Sequence, residues 1–195
     1  MLFCSGPWPS LRLRNENEKP RRTQMRFELV DRILEVKPGH SLRAVKALSL
    51  AEEYLQDHFP GRPVMPGVMM VEAMVQACAW MVRLETDFQP SVVMLKEARG
   101  VRYGQFVNPG DLLTVDVELV KLGEGRAHFK GSGLVDGQVV VSGRLELEYY
   151  SLADKKPVLA DIDRRLREEM RRRYEVVRSR TSPGGIPART STEGS

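Results

Sequence analysis

The fold is decided by the stretch DHFPGRPVMPGVMMVEAMVQACAWMVRLE, residues 57–85. Its first eleven residues hold three prolines and two glycines, which exclude regular structure and predict a rigid, shaped loop. From position 68 to 85 the chain is apolar nearly all round, and such a helix belongs in a core rather than on a surface. The stretch therefore predicts a shaped loop that leads directly into a buried helix.

This apolar stretch is a poor candidate for a membrane span. Residues 64–84 contain a proline, a glycine and three polar or charged side chains, among them Glu72. A span needs about 20 predominantly apolar residues, and a carboxylate near its middle is costly. The chain also opens without a convincing signal peptide, and Cys4 and Cys78 are too few for a disulfide framework. A domain of the reduced cytoplasm is the prediction.

Strands are predicted on both sides of the helix. The segments 27–36 and 40–48 precede it, and a short helix over 50–56 is expected between them and the loop, with Ser49 and Glu52 as a capping box. After Pro90, residues 91–103, 112–123, 126–137 and 138–150 show period-two alternation or β-branched enrichment, and Asp136-Gly137 favours a hairpin turn. Long consecutive strands after one buried helix predict an α+β fold in which an antiparallel sheet wraps that helix.

The organisation predicted along the chain is one domain between two tails. Residues 1–24 form an aperiodic leader, so that the true start is either Met1 or Met25. The domain covers 25–150, a linker and charged helix cover 151–180, and 181–195 form a second disordered tail. The net charge is +4, but each terminal part, 1–24 and 161–195, carries +3, and the body between them carries −2. Because a duplex-binding domain carries its basic stripe on the body, nucleic-acid binding is not expected.

The helix predicted over 161–177 differs from the first one. Its apolar residues Ile162, Leu166, Met170 and Tyr174 recur every four positions, and the remainder is charged. The favoured interpretation is a solvated helix that rests on the body through this stripe. A dock for an acidic partner is the alternative.

Residues that carry chemistry concentrate between positions 57 and 76. His58 lies in the proline- and glycine-rich loop, and an imidazole is the natural general base near neutral pH. A lone loop histidine is more often a plain surface residue, so the assignment depends on its neighbours.

Glu72 is the first of these neighbours. It lies among apolar residues near the start of the helix, where desolvation favours the neutral acid and the helix dipole partly opposes it. Gln76, one turn further on the same face, is placed to orient it. A structural carboxylate bonded to backbone or to Gln76 is the competing interpretation.

The third feature is the start of the helix at Gly67 and Val68. Backbone N–H groups at a helix N-terminus are unsatisfied and can polarise a carbonyl or stabilise an enolate, and a glycine allows close approach. Base, carbonyl polariser and acid together are what the dehydration of a β-hydroxy thioester requires. Neither a metal nor an organic cofactor is needed for it.

The stretch EEYLQDHFPGRPVMPGVMMVEAMVQA, residues 52–77, resembles the signature of the (3R)-hydroxyacyl-acyl-carrier-protein dehydratases of FabZ type, in the FabA/FabZ-like hot-dog family. The family pattern His-Phe-Pro-Gly, Pro-x-x-Pro-Gly and Glu-Ala-Met-x-Gln is present at positions 58–61, 63–67 and 72–76 with the family's spacing. Glu72, where the related dehydratase-isomerases have Asp, favours the FabZ type. Weaker similarity extends over about residues 25–150.

The resemblance implies a hot-dog fold and a dimer, or a trimer of dimers, with active sites at the dimer interface. His58 of one subunit and Glu72 of the other would form each site, with Gln76 in support. The implied partner is the acidic acyl carrier protein, and no cofactor or metal is implied. Residues expected to line an acyl tunnel are Phe59, Met69, Met70 and Met74, with simple core packing as the alternative for the three methionines. Candidates for contacting the carrier protein are Arg62, Lys96, Arg99 and Arg102, although plain surface charge is the favoured role for each one singly.

Departures from the family pattern leave the substrate open. The basic and aromatic segment that precedes Leu29 in many relatives is replaced by RRTQMRFE, and 103–108 lacks the basic residues common there. A dedicated acyl-chain pathway and fatty-acid elongation are both compatible with the sequence. An acyl thioesterase and a non-catalytic acyl-binding module are the alternative functions.

Overall fold

The computed structural model describes residues 27–56, 58–59 and 61–178. The leader predicted at 1–24 and the tail predicted at 181–195 lie outside the described residues. The elements in chain order are β1 (Arg32–Lys37), β2 (Ser41–Ala47), a 3₁₀ turn (Glu53–Leu55), α1 (Gly67–Glu85), β3 (Val92–Tyr103), β4 (Leu112–Gly123), β5 (Arg126–Val135), β6 (Gln138–Tyr150), α2 (Leu152–Lys155) and α3 (Ala160–Val177).

The strands form one antiparallel sheet in the order β1-β2-β4-β5-β6-β3. Chain neighbours β4, β5 and β6 pair as hairpins, and Asp136 and Gly137 at the second turn have φ values of 50° and 78°. Two left-handed residues in succession are what a type I′ turn requires, so the turn predicted there is confirmed. Strand β3 crosses over to the far edge beside β6, so β1 and β3 are the two edges.

Helix α1 supplies most of the core. It contacts strands β2 to β6, and its residues from Ala73 to Val82 are buried apart from Gln76. Met74 and Met81 are fully buried, and Phe129 of β5 packs into the same cluster. A sheet that wraps one buried helix is the hot-dog fold, and the predicted fold class is confirmed. Among the described helices only α1 is long and apolar enough to cross a membrane, and 61% of its most apolar window is buried in the fold.

The segments before the loop differ from the prediction. The capped helix expected over 50–56 is only a 3₁₀ turn. Ser49 accepts a hydrogen bond from the N–H of Ala51, but the Glu52 carboxylate pairs with the buried Lys46 ammonium at 2.7 Å rather than completing the capping box. Strand β1 begins at Arg32 rather than at position 27. Residues 27–29 bond to the side chain of Gln76 instead of to a strand.

Helix α3 packs on the outer side of α1. Its Tyr174 ring lies 6.1 Å from the Trp80 ring and 5.9 Å from the Phe88 ring, measured between centroids. The predicted contact between the apolar residues of this helix and the body is confirmed for the second half, where Met170 and Tyr174 pack against the core. It is wrong for the first half, where Ile162 and Leu166 are exposed.

The first half of α3 is anchored by a polar side chain. Asp163 is fully buried and accepts hydrogen bonds from the backbone N–H groups of Leu152 and Ala153, and Arg167 approaches its second oxygen at 2.7 Å. These contacts let the carboxylate replace the apolar contact that the four-residue spacing predicted, although Oδ2 accepts no hydrogen bond from any described residue.

Candidate active site

The loop that carries His58 is held by its own backbone. The N–H groups of Phe59 and Arg62 each bond to the other residue's carbonyl, and Gly61 has a φ of 85° that favours glycine. The N–H of Met65 donates to the carbonyl of Val107 at 2.8 Å, which ties the loop to the segment before β4. The described part of the loop is therefore held by backbone hydrogen bonds and is tied to the rest of the fold at Met65.

His58 is oriented by one hydrogen bond and lies beside one aromatic ring. Its Nδ1 lies 3.2 Å from the carbonyl oxygen of Val64, and its ring lies 4.3 Å from that of Phe59. A carbonyl oxygen only accepts, so the bond requires the proton on Nδ1 and leaves Nε2 as the basic nitrogen. The half-buried His58 is therefore in the tautomer that a general base needs.

The start of α1 has open backbone donors. No hydrogen bond joins the N–H groups of Gly67 and Val68 to any residue that the structure describes. The ring of Tyr103, the last residue of β3, lies against Gly67, and a Cβ at this position would stand 2.8 Å from the ring. Only a glycine leaves the Tyr103 ring where it is, so position 67 has a packing reason as well as a chemical one.

Glu72 lies one turn into the helix and is half-buried. Gln76 donates a hydrogen bond to its Oε1 at 2.9 Å. The same amide donates to the carbonyl of Phe27, and its oxygen accepts from the N–H of Leu29 at 2.9 Å. Gln76 therefore lies where it can orient Glu72, and its amide bonds to the segment before β1 as well as to the carboxylate.

The structure brings Glu72 and Gln76 together but not Glu72 and His58. Within the described part of the protomer, no hydrogen bond or ion pair joins His58 to Glu72. Both residues lie near the start of α1: His58 is in the loop before the helix, and Glu72 is on the surface of the helix.

The residues predicted to line an acyl tunnel fall into two groups. Met70 and Met74 are buried in the core, and the Met74 sulfur lies against Gly131 of β5. Phe59 is exposed and Met69 is half-buried. Met70 and Met74 therefore pack in the core, whereas Phe59 and Met69 lie at the surface around the loop.

The cationic residues predicted to contact a carrier protein are also divided. Arg62 lies over the ring of Phe106, three residues after the end of β3, at 5.6 Å. Lys96, Arg99 and Arg102 are exposed on β3, and the latter two line a surface depression of about 500 Å³. Lys130 and Arg144 line the same depression, which makes it strongly basic.

Sequence reasoning missed several residues around this site. The Tyr103 ring reaches the site by packing against Gly67, and the Phe27 carbonyl reaches it by accepting a hydrogen bond from Gln76. Both contacts join residues far apart in the chain, so no local sequence pattern predicts them. Arg83 and Arg173 line a cleft with Glu72, and only the fold brings these helices together. In the described ranges, no group of three or more His, Cys, Asp or Glu side chains could hold a metal ion.

Comparison with solved structures agrees with the topology. The structure entitled "The Dehydratase Heterocomplex ApeI:P from Xenorhabdus doucetiae" superposes with a TM-score of 0.57 at 21% identity, covering 68% of this chain and 90% of that one. At this identity the likeness shows the fold alone. In this chain, one antiparallel sheet wraps a central helix, α1, and the loop that carries His58 leads into that helix. These features place the chain in the hot-dog class.

The family follows from sequence comparison. The FabA-like domain model matches residues 22–144. The 3-hydroxyacyl-[acyl-carrier-protein] dehydratase FabZ of Albidiferax ferrireducens is 44% identical over 122 residues, which are 61% of this chain and 81% of the relative. The dehydratase of the same name from Caldicellulosiruptor bescii is 40% identical over 119 residues, 61% and 85% of the two chains. The chain belongs to the FabA-like family and is a hydro-lyase of FabZ type; helix α3 lies beyond the matched residues.

Proposed function

We propose that this enzyme removes water from (3R)-3-hydroxyacyl thioesters on acyl carrier protein and releases trans-2-enoyl thioesters, in fatty-acid or related acyl-chain synthesis. The observation that carries the proposal is the FabA-like match over residues 22–144, which includes both His58 and Glu72, together with 44% identity to a FabZ dehydratase. The reaction needs no cofactor, because every step is a proton transfer or a bond cleavage that side chains and backbone assist.

His58 is the proposed base. Its Nε2 takes the proton from the carbon next to the thioester carbonyl, since Nδ1 is bonded to Val64. The electron pair of the broken C–H bond forms an enolate, whose oxygen the N–H groups of Gly67 and Val68 stabilise. Those donors have no partner among the described residues, as such a role requires.

Glu72 is the proposed acid. In its neutral form it protonates the β-hydroxyl, the C–O bond breaks, and water leaves as the enolate electrons form the C=C bond. The proton on His58 then returns to the Glu72 carboxylate through solvent or the released water. Gln76 keeps the carboxyl group in place by its hydrogen bond.

A homodimer completes the proposed site. Strand β3 is an edge strand of twelve residues with exposed apolar side chains at Met94, Leu95 and Tyr103. An edge of this kind is a template for pairing with a second chain. The opposite edge, β1, bridges instead to Arg178 after α3. Pairing two β3 strands around a two-fold axis would bring His58 of one subunit to Glu72 of the other.

The acidic carrier protein is the proposed partner, in the cytoplasm. The basic depression on β3 and its neighbours offers Arg99 and Arg102, together with Lys130 and Arg144, for its acidic surface. Arg62 and Lys96 are further contacts, and Phe59 and Met69 would border the entrance for the acyl chain.

The test is enoyl formation from a (3R)-3-hydroxyacyl thioester on carrier protein, measured for wild type, His58→Ala and Glu72→Gln. We expect each variant to lose roughly 10²–10⁴-fold in kcat. The matched controls are His40→Ala and Glu53→Gln, which change exposed residues outside the site and should keep wild-type rates. Release of free thiol by the wild type would indicate an acyl thioesterase, and acyl binding without turnover would indicate a non-catalytic module.

A further inference from the structure

A cleft on the outer side of α1 connects Glu72 with a second charged residue, Arg83. Helix α1, the segment before β1 and helix α3 form its walls, and its volume is about 200 Å³. Glu72 and Arg83 are eleven residues apart on one face of α1, which corresponds to an axial distance of about 16 Å. The side chains between and around them are Phe27, Val30, Val75, Gln76, Ala79, Trp80, Val93, Met170 and Val177.

Arg83 is half-buried, and no acidic partner for it lies among the described residues. Its Nε is buried with no hydrogen-bond acceptor, and no ion pair joins Arg83 to any residue in the described ranges. Its guanidinium group lies 5.6 Å from the centre of the Trp80 ring. Burial lowers the pKa of Arg83 to about 10, so the group stays charged at neutral pH. Burying an unpaired charge is costly, and proteins normally compensate for it with an anion.

The acidic groups around the cleft are already engaged. Glu28 forms an ion pair with Arg173, which also lines the cleft. Glu72 accepts the hydrogen bond of Gln76, and Glu85 accepts the N–H of Gly39 at 2.7 Å. No ion pair joins any of these three carboxylates to Arg83, so the described acidic groups around the cleft supply no compensating anion for it.

We propose that Arg83 binds an anionic group of the substrate while the reacting carbons lie beside Glu72. The proposal rests on the proposed function, since it takes Glu72 as the acid of the dehydration. An acyl chain that ends in a methyl group would leave Arg83 desolvated and unpaired, whereas a carboxylate would form paired hydrogen bonds with the guanidinium group. Two groups have this chemistry: a carboxylate at the far end of the acyl chain, and the phosphate of the phosphopantetheine arm.

The test uses four substrates and one substitution. The 3-hydroxyacyl thioesters carry either a terminal carboxylate or a terminal methyl group at equal chain length, each on N-acetylcysteamine or on phosphopantetheine. We expect Arg83→Met to lower kcat/KM by about 10- to 100-fold for the substrates with the bound anion. The methyl-ended N-acetylcysteamine thioester, which has neither anion, should keep its kcat/KM.

The pattern of loss identifies the source of the anion. A loss confined to carboxylate-ended substrates assigns the chain end, and a loss confined to phosphopantetheine substrates assigns the phosphate. An equal loss on all four substrates, or no loss on any, overturns the proposal. The matched control is Arg172→Met, which removes an exposed arginine of α3 that pairs with Glu169 of the same helix and lies outside the cleft lining, and it should change none of the four values.

A binding experiment separates this proposal from the proposed function. Dodecanedioate, dodecanoate and pantetheine 4′-phosphate are titrated calorimetrically into wild type, Arg83→Met and Arg83→Gln. Binding of either anionic probe that is lost in both variants supports the anion site, even where wild type shows no dehydration. Binding that is unchanged in the variants, or absent from a wild type that dehydrates all four substrates, overturns it. Thermal unfolding of Arg83→Gln, which keeps two polar atoms, reports whether the fold survives the loss of the charge.

Discussion

Gln76 donates a hydrogen bond from its amide nitrogen to Glu72, one turn earlier on α1, at 2.9 Å. The amide also bonds to the backbone of residues 27 and 29, a segment 47 to 49 positions away in the chain. The carboxylate proposed as the acid is therefore positioned from outside its own helix. A disturbance of the segment before β1 is transmitted to it through one side chain.

Gln76→Leu should reduce catalysis more than it reduces binding. The substitution keeps the size of the side chain but leaves Glu72 without its donor and the Leu29 N–H without its acceptor. Removing one partner of a half-buried hydrogen bond costs about 1–3 kcal/mol, so we expect kcat to fall about 10- to 100-fold with a smaller change in KM. Steady-state kinetics checks this, with the exposed Gln89→Leu as control. An unchanged kcat would remove Gln76 from the proposed mechanism.

Gly67→Ala should lower activity through Tyr103. Alanine normally favours a helix by about 1 kcal/mol over glycine, but the added Cβ would stand 2.8 Å from the Tyr103 ring. The ring must move from the start of α1, and we expect kcat/KM to fall about tenfold or more. The double variant Gly67→Ala with Tyr103→Ala relieves the contact. Two results together would show that the contact has no catalytic consequence. Gly67→Ala alone would be fully active, and the double variant would be no more active than Tyr103→Ala alone.

Mixing two inactive variants should restore activity. If each site takes His58 from one subunit and Glu72 from the other, a dimer of His58→Ala with Glu72→Gln has one intact site and one doubly altered site. After dissociation and reassociation of an equal mixture, half of the dimers are mixed, and we expect about a quarter of wild-type activity. The rate of enoyl formation before and after subunit exchange measures it. Activity that stays at the level of the separate variants would place both residues of a site in one subunit.

Asp163→Asn should weaken the attachment of α3 in a pH-dependent way. Burial by itself raises the pKa of Asp163, but hydrogen bonds from Ser91, Leu152 and Ala153 and the charge of Arg167 outweigh it and hold the pKa below its ordinary value. A carboxyl group with a lowered folded-state pKa contributes stability above its unfolded pKa and loses it as the pH falls through the folded one.

Wild type should therefore exceed Asp163→Asn by about 1–3 kcal/mol in the free energy of unfolding at pH 7. The difference should shrink below about pH 4, near the ordinary pKa of aspartate, as the wild-type carboxyl group becomes protonated. Denaturant unfolding at several pH values measures it. Asp161→Asn, which changes an exposed residue of the same helix, is the control and should show no such gap. A difference that is constant from pH 7 to pH 3 would contradict the role given to the Asp163 charge.

The sequence predicted the parts that depend on local chemistry. The prolines and glycines of 57–67 indicate a loop, the apolar run after Gly67 indicates a buried helix, and Asp136-Gly137 indicates the turn between β5 and β6. Each of these follows from residues that are neighbours in the chain.

The parts that were not predicted depend on partners far away in the chain. Glu52 pairs with Lys46 rather than capping a helix, and Phe27 is held by Gln76 rather than by a strand. Arg83 is half-buried on α1, in a cleft whose second wall is α3, eighty or more positions later in the chain. No local pattern encodes such contacts, since tertiary packing overrides propensity where a buried charge or amide needs a partner.

The position of α3 at the end of the domain has a consequence for synthesis. The ribosome delivers the sheet and α1 before α3, and nascent domains fold from the N-terminal side. Until Tyr174 reaches Trp80, the wall that α3 gives to the cleft is missing and the outer face of α1 is open to water. The cleft beside Glu72 is therefore finished only after α3 has been synthesised, and a nascent chain released before α3 emerges would display the apolar face that α3 covers.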